Sequence, residues 1–463
     1  MASMAEVVPL PRPAQFLRTS STLRRQLAAA AVYAIVAVNA GVLVWLWIRG
    51  GNLHPGSTGE LLTGVGRITG LLAAYLALVE VVLLARLPAL ERAVGFDRLS
   101  VWHRWNGHLC IDLVMAHVVL TVWGYALMDR LPIGKEISTM LGGGVYPGMI
   151  TATVGTAMLL GVVGTSLVIV RRRLRYESWY AVHLLAYAGI ALSWFHEIPT
   201  GNELVLDRAA ADYWRGLYAA TIAVLVVFRL GLPLVHLLRH RLQVAQVTEE
   251  APGAVSLHIV GRHLDRLRAE PGQFFLWRFL DRRHVWSAHP FSLSAAPDGR
   301  SLRITVKDLG DHSGRIGSVR PGTRVLAEGP FGVFTESARR RRGKVLLIAG
   351  GIGITPIRSL VERMRGDVVV VYRALTEGDL VFKGELDELA ARTGLVVHYV
   401  VGDHRGEGAE LLSSEHLRAL VPDAPERDVF LCGPPAMTDV IGRNLRTAGV
   451  PRRYVHVERF ALT

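Results

Sequence analysis

Six apolar stretches occupy the first half of this 463-residue chain, at about 27–48, 68–87, 109–128, 149–170, 179–198 and 217–238. Most reach the ~20 residues that carry a helix across a ~30 Å hydrocarbon core. In that medium every backbone N–H and C=O must be paired within its own segment, so an apolar run of this length has one solution, the α-helix. The first run is long for a signal-peptide core and no small-residue cleavage site follows it, so it counts as a span.

Arginines give the six spans a direction. Arg12, Arg18, Arg24 and Arg25 precede the first. Arg86, Arg92, Arg98 and Arg104 lie between the second and third, and Arg171, Arg172, Arg173 and Arg175 between the fourth and fifth. Arg239 and Arg241 follow the sixth. The opposite loops carry fewer cations: Arg49, Arg130 with Lys135, and Arg208 with Arg215. By the positive-inside rule this is a multi-pass cell-membrane protein, with its N-terminus and everything after Arg239 in the cytoplasm. A net charge of +13 would point to nucleic acid in a soluble protein; here much of it flanks spans, and no nucleic-acid role is expected. The two cysteines, Cys110 and Cys432, are too few for a four-thiolate iron–sulfur cluster within the chain or for a disulfide framework.

Two spans carry paired histidines. His103 and His117 are 14 residues apart, and His183 and His196 are 13 apart. At about 1.5 Å per residue each pair covers roughly 20 Å of helix. The topology makes His103 and His183 inner, and His117 and His196 outer. Two such spans side by side hold two haems, each iron gripped by one histidine from each span. Ionisable groups inside spans mark function by default, and with no Cys-x-x-Cys-His attachment site the haems are of b type. At 100° per residue, 14 residues return within about 40° of one face, whereas 13 miss it by about 140°. The fifth span therefore overwinds or presents its ligands from different sides. His108 is read as structural. Arg67, after Gly64 and Gly66, is placed at the outer entrance of the second span. There it would bind a haem propionate or steer an anionic acceptor, the plainer reading being an interfacial snorkelling side chain.

After Arg241 the pattern shifts to short β-like runs at 242–248, 255–260, 274–279 and 302–307, broken by Gly and Pro, which predicts a small antiparallel barrel. From Gly343 it shifts again. A buried-strand run at 344–349 leads into Gly350-Gly351-Ile352-Gly353-Ile354-Thr355-Pro356 and a helical stretch, and further runs recur at 368–372, 395–401 and 429–432. This alternation predicts a doubly wound parallel sheet. The glycines would let a phosphate approach the backbone at a helix start. The expected divisions are a tail at 1–25, a six-helix transmembrane haem bundle at 26–240, an antiparallel β-barrel at 241–336 and an α/β doubly wound domain at 337–463.

The order of motifs carries a resemblance. His289-Pro290-Phe291-Ser292-Leu293-Ser294 is followed by Gly310-Asp311-His312-Ser313-Gly314-Arg315, Glu328-Gly329-Pro330-Phe331-Gly332, Cys432-Gly433-Pro434-Pro435 and Glu458-Arg459-Phe460. Over 242–463 this resembles the ferredoxin–NADP reductase superfamily. With the paired histidines, the chain resembles the ferric reductase and NADPH oxidase family. The resemblance implies FAD stacked on Phe291, its N5 bonded by Ser292, and His289 with Pro290 near its phosphates. It implies that Gly310, Ser313 and Gly314 cradle the pyrophosphate. Gly350, Gly351, Gly353, Thr355 and Pro356 would hold the dinucleotide phosphates. Cys432, with Gly433 and Pro434, would lie beside the nicotinamide C4, and Phe460 would shield the flavin. Arg373, ending the second parallel strand, suits a 2′-phosphate, which favours NADPH with NADH as the alternative. The run Arg339–Arg342 is read as a solvated loop.

The expected activity is NAD(P)H-dependent electron transfer through FAD and two haems to an outside acceptor. Ferric chelates come first and oxygen, giving superoxide, second. Thr121 stands where the oxidases carry a further histidine, which weakens the oxygen reading. A relay to a partner protein or quinone and a haem-free anchor are the other readings.

Overall fold

The computed structural model describes residues 19–142, 144, 146–171, 173–174, 176–308, 316–341, 343–403 and 411–459. They form two compact units. The expected sites at Gly310, Ser313, Gly314 and Phe460 lie outside the described residues.

The first half is helical: α1 (Thr19–Arg49), α2 (Thr58–Leu83), α3 (Pro88–Val94), α4 (Phe96–Met128), α5 (Ile133–Gly142), α6 (Met149–Ser166), α7 (Val168–Arg171), α8 (Tyr176–His183), α9 (Leu185–Thr200), α10 (Asn202–Leu206), α11 (Arg208–Leu225) and α12 (Leu232–His240), the last two joined by a π-helical turn at Val226–Gly231. Among the described residues five helical segments are long and apolar enough to cross a membrane: Leu27–Arg49, Thr58–Leu83, Arg98–Met128, Met149–Ser166 and Arg208–His240. The predicted fifth stretch is missing from that set because it is broken at Leu184 into α8 and α9. Large apolar side chains face outward along these helices, with Val38 66% and Ile150 65% exposed. Such surfaces match lipid rather than water.

Two helix pairs build the centre of this unit, and small residues make both. On α2 the positions 59, 63, 66, 70, 73, 77 and 80 repeat at alternating spacings of four and three, and all but the last are Gly, Thr or Ala. A Cβ on Gly59 would stand 2.9 Å from the Gly124 carbonyl of α4, and one on Gly66 would stand 2.7 Å from Thr121 Cγ2. Lipid tails are as apolar as leucine, so helices here associate through close backbone approach and hydrogen bonds. The pair α6 and α9 repeats the device: a Cβ on Gly155 would lie 2.6 Å from the Gly189 carbonyl. Trp47 Nε1 donates to Gly64 O at 2.7 Å, fixing α1 on α2.

The second half holds three sheets. Strands β1 (Gln243–Ala251), β2 (Ala254–Val260), β3 (Phe274–Phe279), β4 (His289–Ser292), β5 (Ser301–Lys307) and β6 (Val325–Phe331) form two antiparallel three-stranded sheets ordered β1-β2-β5 and β4-β3-β6. The sheets share a core that includes Leu257, Phe275, Trp277 and Ile304. Arg86, from the segment after α2 that clusters with this unit, pairs with Glu328 on β6. Strands β7 (Lys344–Gly350), β8 (Asp367–Ala374), β9 (Val396–Val401), β10 (Asp428–Gly433) and β11 (Val455–Arg459) form one parallel sheet in the order β11-β10-β7-β8-β9. Helices α13 (Ile354–Val361), α14 (Lys383–Thr393), α15 (Ser414–Leu420) and α16 (Pro435–Thr447) connect them. Successive strand residues point to opposite faces. Accordingly Val345, Leu347 and Ala349 enter one core, and Leu346 and Ile348 enter another.

Candidate functional site

The four span histidines meet in two tiers within the first unit. His103 on α4 faces His183 at the end of α8, with ring centroids 6.0 Å apart. His117 on α4 faces His196 on α9 at 6.2 Å. Two imidazoles binding one metal end-on at about 2.0–2.1 Å put their ring centroids roughly 6 Å apart. Both tiers match that separation.

On the far side of the rings, His117 Nδ1 is 2.8 Å from Gly66 O, and His196 Nδ1 is 2.7 Å from Ser193 O. His183 Nδ1 lies 3.4 Å from Ser166 Oγ, and His103 Nδ1 lies 2.8 Å from Glu80 Oε1. Three of the four Nδ1 atoms are hydrogen-bonded and the fourth, on His103, stands in short contact with Glu80, so Nε2 is the nitrogen each ring would offer a metal. Metal-bound histidines are held in this way, by a carbonyl or carboxylate on the other ring nitrogen. The residues present therefore fit a pair of bis-histidine haems.

The 13-residue spacing is accommodated at Leu184. The Tyr187 amide bonds Leu184 O at 3.2 Å, an i to i+3 link. Such a turn advances about 120° per residue instead of 100°, which recovers part of the ~140° deficit. Overwinding at this one turn supplies part of the rotation, and the break between α8 and α9 leaves the two ligands on separate helical segments.

Arg67 requires a correction. It does not stand at the entrance of a span that starts near residue 68; it lies nine residues inside α2, which begins at Thr58. The start was legible as Ser57-x-x-Glu60, a capping-box pattern. Ser57 Oγ accepts from the Glu60 amide at 3.2 Å, and Glu60 Oε2 accepts from the Gly56 amide at 2.7 Å. Arg67 lines a polar cavity of about 210 Å³ with Asn52, His54 and Glu60. Its peptide follows the Gly66 carbonyl that holds His117. Glu80, Ser166 and Ser193 escaped the sequence reading, although a carboxylate inside an apolar stretch was a usable signal for Glu80.

In the second unit, β4 aligns His289, Pro290, Phe291 and Ser292 against β3. His289 and Phe291 stack at 5.8 Å, Trp277 Nε1 donates to Phe291 O at 2.9 Å, and Ser292 is buried. In the parallel sheet Gly350 ends β7, and Gly351–Gly353 makes one 3₁₀ turn into α13. Gly351 has φ +54° and open space where a Cβ would go. Gly353 has none, because a Cβ there would run into the Cys432 carbonyl. One glycine leaves the backbone open and the other lets the end of β10 touch the turn after β7. Thr355 Oγ1 donates to Ile352 O at 3.1 Å and Pro356 enters the first turn of α13, so both brace the loop.

Cys432, in register between Ala349 and Glu458, is fully buried; Gly433 and Pro434 follow it into α16. Burial first, then the Glu458 charge, pushes its thiol well up, so it is neutral at physiological pH. Arg373 donates to the carbonyls of Ala374 and Gly402 at the ends of β8 and β9.

These two regions coincide with two family descriptions. Residues 69–194 match "Ferric reductase like transmembrane component" and residues 347–442 match "Oxidoreductase NAD-binding domain". The ferredoxin–NADP reductase B of Sorangium cellulosum is 30% identical over 189 residues, 37% of this chain and 77% of that protein. Over its second half the chain belongs to the ferredoxin–NADP reductase family, and its residues 69–194 are similar to the ferric reductase-like transmembrane component. The chain is also 34% identical over 236 residues to the ferredoxin reductase component of 3-ketosteroid-9-alpha-monooxygenase from Mycolicibacterium smegmatis, 47% of this chain and 65% of that one. It spans little more than half of other curated relatives it matches, 56% and 57% in two cases. Among solved structures, the flavohem-like FAD/NAD-binding domain of nitric oxide dioxygenase from Vibrio cholerae is 24% identical, with TM-score 0.40, covering 48% of this chain and 99% of that one.

Proposed function

We propose that this oxidoreductase carries electrons across a membrane, from NAD(P)H through FAD and two b-type haems to ferric chelates on the far side. The observation that carries the reading is the two histidine tiers, each at metal-bridging separation with an oxygen within 3.4 Å behind every Nδ1. When bound, FAD takes a hydride and releases electrons singly, and the haems carry them across the apolar layer. His103 and His183 would hold the inner haem, and His117 and His196 the outer.

The arginine bias supports a cytoplasmic N-terminus and a cytoplasmic reductase module. The proposed divisions are a tail at 1–25, a di-haem bundle at 26–240, a FAD barrel at 241–336 and an NAD(P) domain at 337–463. In this reading α8 and α9 cross together as the fifth of six spans, interrupted at Leu184, and the two three-stranded sheets act as one barrel. Phe291 stacks on the flavin, Ser292 hydrogen-bonds its N5, and His289 and Pro290 flank its phosphates. Gly310, Ser313 and Gly314 cradle the pyrophosphate. Gly350, Gly351, Gly353, Thr355 and Pro356 seat the dinucleotide. Arg373 receives a 2′-phosphate once it leaves its carbonyl partners, which favours NADPH over NADH. Cys432, beside the nicotinamide with Gly433 and Pro434, is neutral and therefore positions the ring rather than moving a proton. Phe460 covers the flavin until the nicotinamide displaces it.

Arg67 gives the acceptor its charge preference. Its cavity is polar and no carboxylate lies within ion-pair distance of it among the described residues, which suits a small anionic chelate. Thr121, whose hydroxyl donates to His117 O at 2.6 Å, stands where the oxidases carry a further histidine, and on that ground chelate is placed before oxygen as acceptor.

Pyridine haemochrome analysis should give two haems per chain, and His117→Ala should lose one. A haem-free protein overturns the reading and leaves a membrane anchor. In sealed vesicles loaded with NADPH, external ferric citrate should be reduced, and Arg67→Ala should weaken this more than it weakens flavin reduction. If superoxide dismutase abolishes the signal and anaerobic vesicles reduce no iron, the protein is a superoxide-producing NADPH oxidase. If the reduced protein passes electrons to neither, it is a relay to a partner protein or quinone.

A further inference from the structure

Glu80 interrupts the small-residue seam of α2. It takes the next step after Ala73 and Ala77, where the backbone of α4 passes closest, and at that step α4 presents His103. The registers agree: Gly66 and Glu80 are 14 residues apart on α2, as are His103 and His117 on the antiparallel α4. Each end of this double step on α2 supplies the group behind one histidine of α4. One group is a neutral backbone carbonyl, and the other is a carboxylate.

The carboxylate is placed, not incidental. Glu80 Oε1 lies 2.8 Å from His103 Nδ1, a short contact off the N–H axis. Glu80 Oε2 accepts from Asn106 Nδ2 at 2.6 Å, and the same amide donates to Leu76 O at 2.9 Å. Gly107 leaves the room: a Cβ there would stand 2.9 Å from Glu80 Oε1. Charge inside a span is costly and is kept where it has a partner and a use.

We propose that Glu80 lowers the reduction potential of the His103–His183 site relative to the His117–His196 site. The inference rests on the di-haem reading above. A carboxylate behind a ligating imidazole raises the basicity of the ligand. A full negative charge near the metal also favours its more positive oxidation state, and in a low-dielectric span that attraction is weakly screened. Both histidines of the other tier lean on carbonyls, Gly66 O and Ser193 O, which carry only partial charge. The asymmetry makes the inner site the poorer holder of an electron, so the span favours outward flow. Glu80 is a positioning and tuning residue; its carboxylate touches the ligand and not the acceptor.

The experiment is a potentiometric titration of full-length protein in lipid nanodiscs, followed at the haem absorption bands, with haem content measured in parallel. Wild type should titrate in two steps. Glu80→Gln keeps the shape and removes the charge. It should raise only the lower midpoint, by at least a tenfold change in the reduced-to-oxidised ratio at fixed potential, or 59 mV for one electron. Full haem content with both midpoints unmoved, or both moved equally, overturns the proposal. If Glu80→Gln fails to hold haem, Gly107→Ala, which crowds the carboxylate away from His103, carries the test with a smaller rise of the same single midpoint. An unmoved midpoint there overturns it equally. A wild-type protein without haem overturns the di-haem reading itself, a result distinct from haem present and untuned.

Discussion

The helical half and the sheet half are held together by opposite means. In the helical half the large side chains point outward, and the helices meet where side chains are missing, at Gly59, Gly66, Gly124, Gly155 and Gly189. In the sheet half the large side chains point inward, and Phe275, Trp277, Phe279, Tyr372 and Phe430 are fully buried. Water drives apolar burial in the second case. In the first, lipid offers no such force, so fit and hydrogen bonding carry the assembly. A missing atom is tolerable where burial is spread over many side chains, whereas an added atom is intolerable where backbones touch.

The largest expected effect follows from that contrast. Gly155→Leu should separate α6 from α9, since even a Cβ would lie 2.6 Å from Gly189 O. His196 would move off His117, and haem content should fall below a tenth of wild type. Gly161→Leu on the same helix has open space around its Cβ position and should keep full haem content. Equal behaviour of the two variants, measured by pyridine haemochrome, would break the comparison.

A cavity in the sheet half should be far milder. Cys432→Ala removes one buried sulfur from a core that includes Phe430 and Ala349. Flavin content and fold should persist. Stopped-flow flavin reduction by NADPH should slow about tenfold, roughly 1.4 kcal/mol of barrier. Loss of flavin with an unchanged rate per bound flavin would make the residue structural.

The two halves also differed in what their sequences disclosed. Eight of the described strands are legible to within three residues at each end, with 274–279 coinciding with β3 and 344–349 stopping one short of β7, whereas no such run marks β4, β6 or β11. Helix starts were misread by ten residues or more, at Thr58 against 68 and at Phe96 against 109. Hydropathy marks where lipid begins, and these helices continue beyond it as polar turns around Glu60, Arg98 and His103. The histidine tiers were legible because charge-capable residues in lipid are rare. Their supports were not: Gly66 O and Ser193 O are backbone atoms, and a sequence does not show which carbonyl a ring will reach. In the sheet half the site glycines were legible, yet the distinct tasks of Gly351 and Gly353 depend on β10 passing beside the turn.

The smallest expected effect tests how far the sheet half tolerates a lost charge. Asp428 opens β10 fully buried. It accepts from the Arg340 and Arg341 amides at 2.9 and 2.5 Å and from His456 Nε2 at 3.1 Å. Burial alone would raise its carboxyl; the hydrogen bonds from His456 and from the two amides outweigh it and hold the group below the ordinary carboxylate range. A depressed folded-state value means that the ionised form stabilises the fold. That contribution is complete above the unfolded value of about 3.9 and disappears as pH falls through the lower folded value. Asp428→Asn keeps one acceptor oxygen and loses the charge, which should cost about 1 kcal/mol at pH 7. In a unit of this size that is about 2–4 °C in the midpoint of a thermal scan following flavin fluorescence. The gap between variant and wild type should close as the scans move below about pH 4. A gap that stays constant with pH would mean that packing, not charge, holds the start of β10, and the sheet half would then depend on close fit as the helical half does.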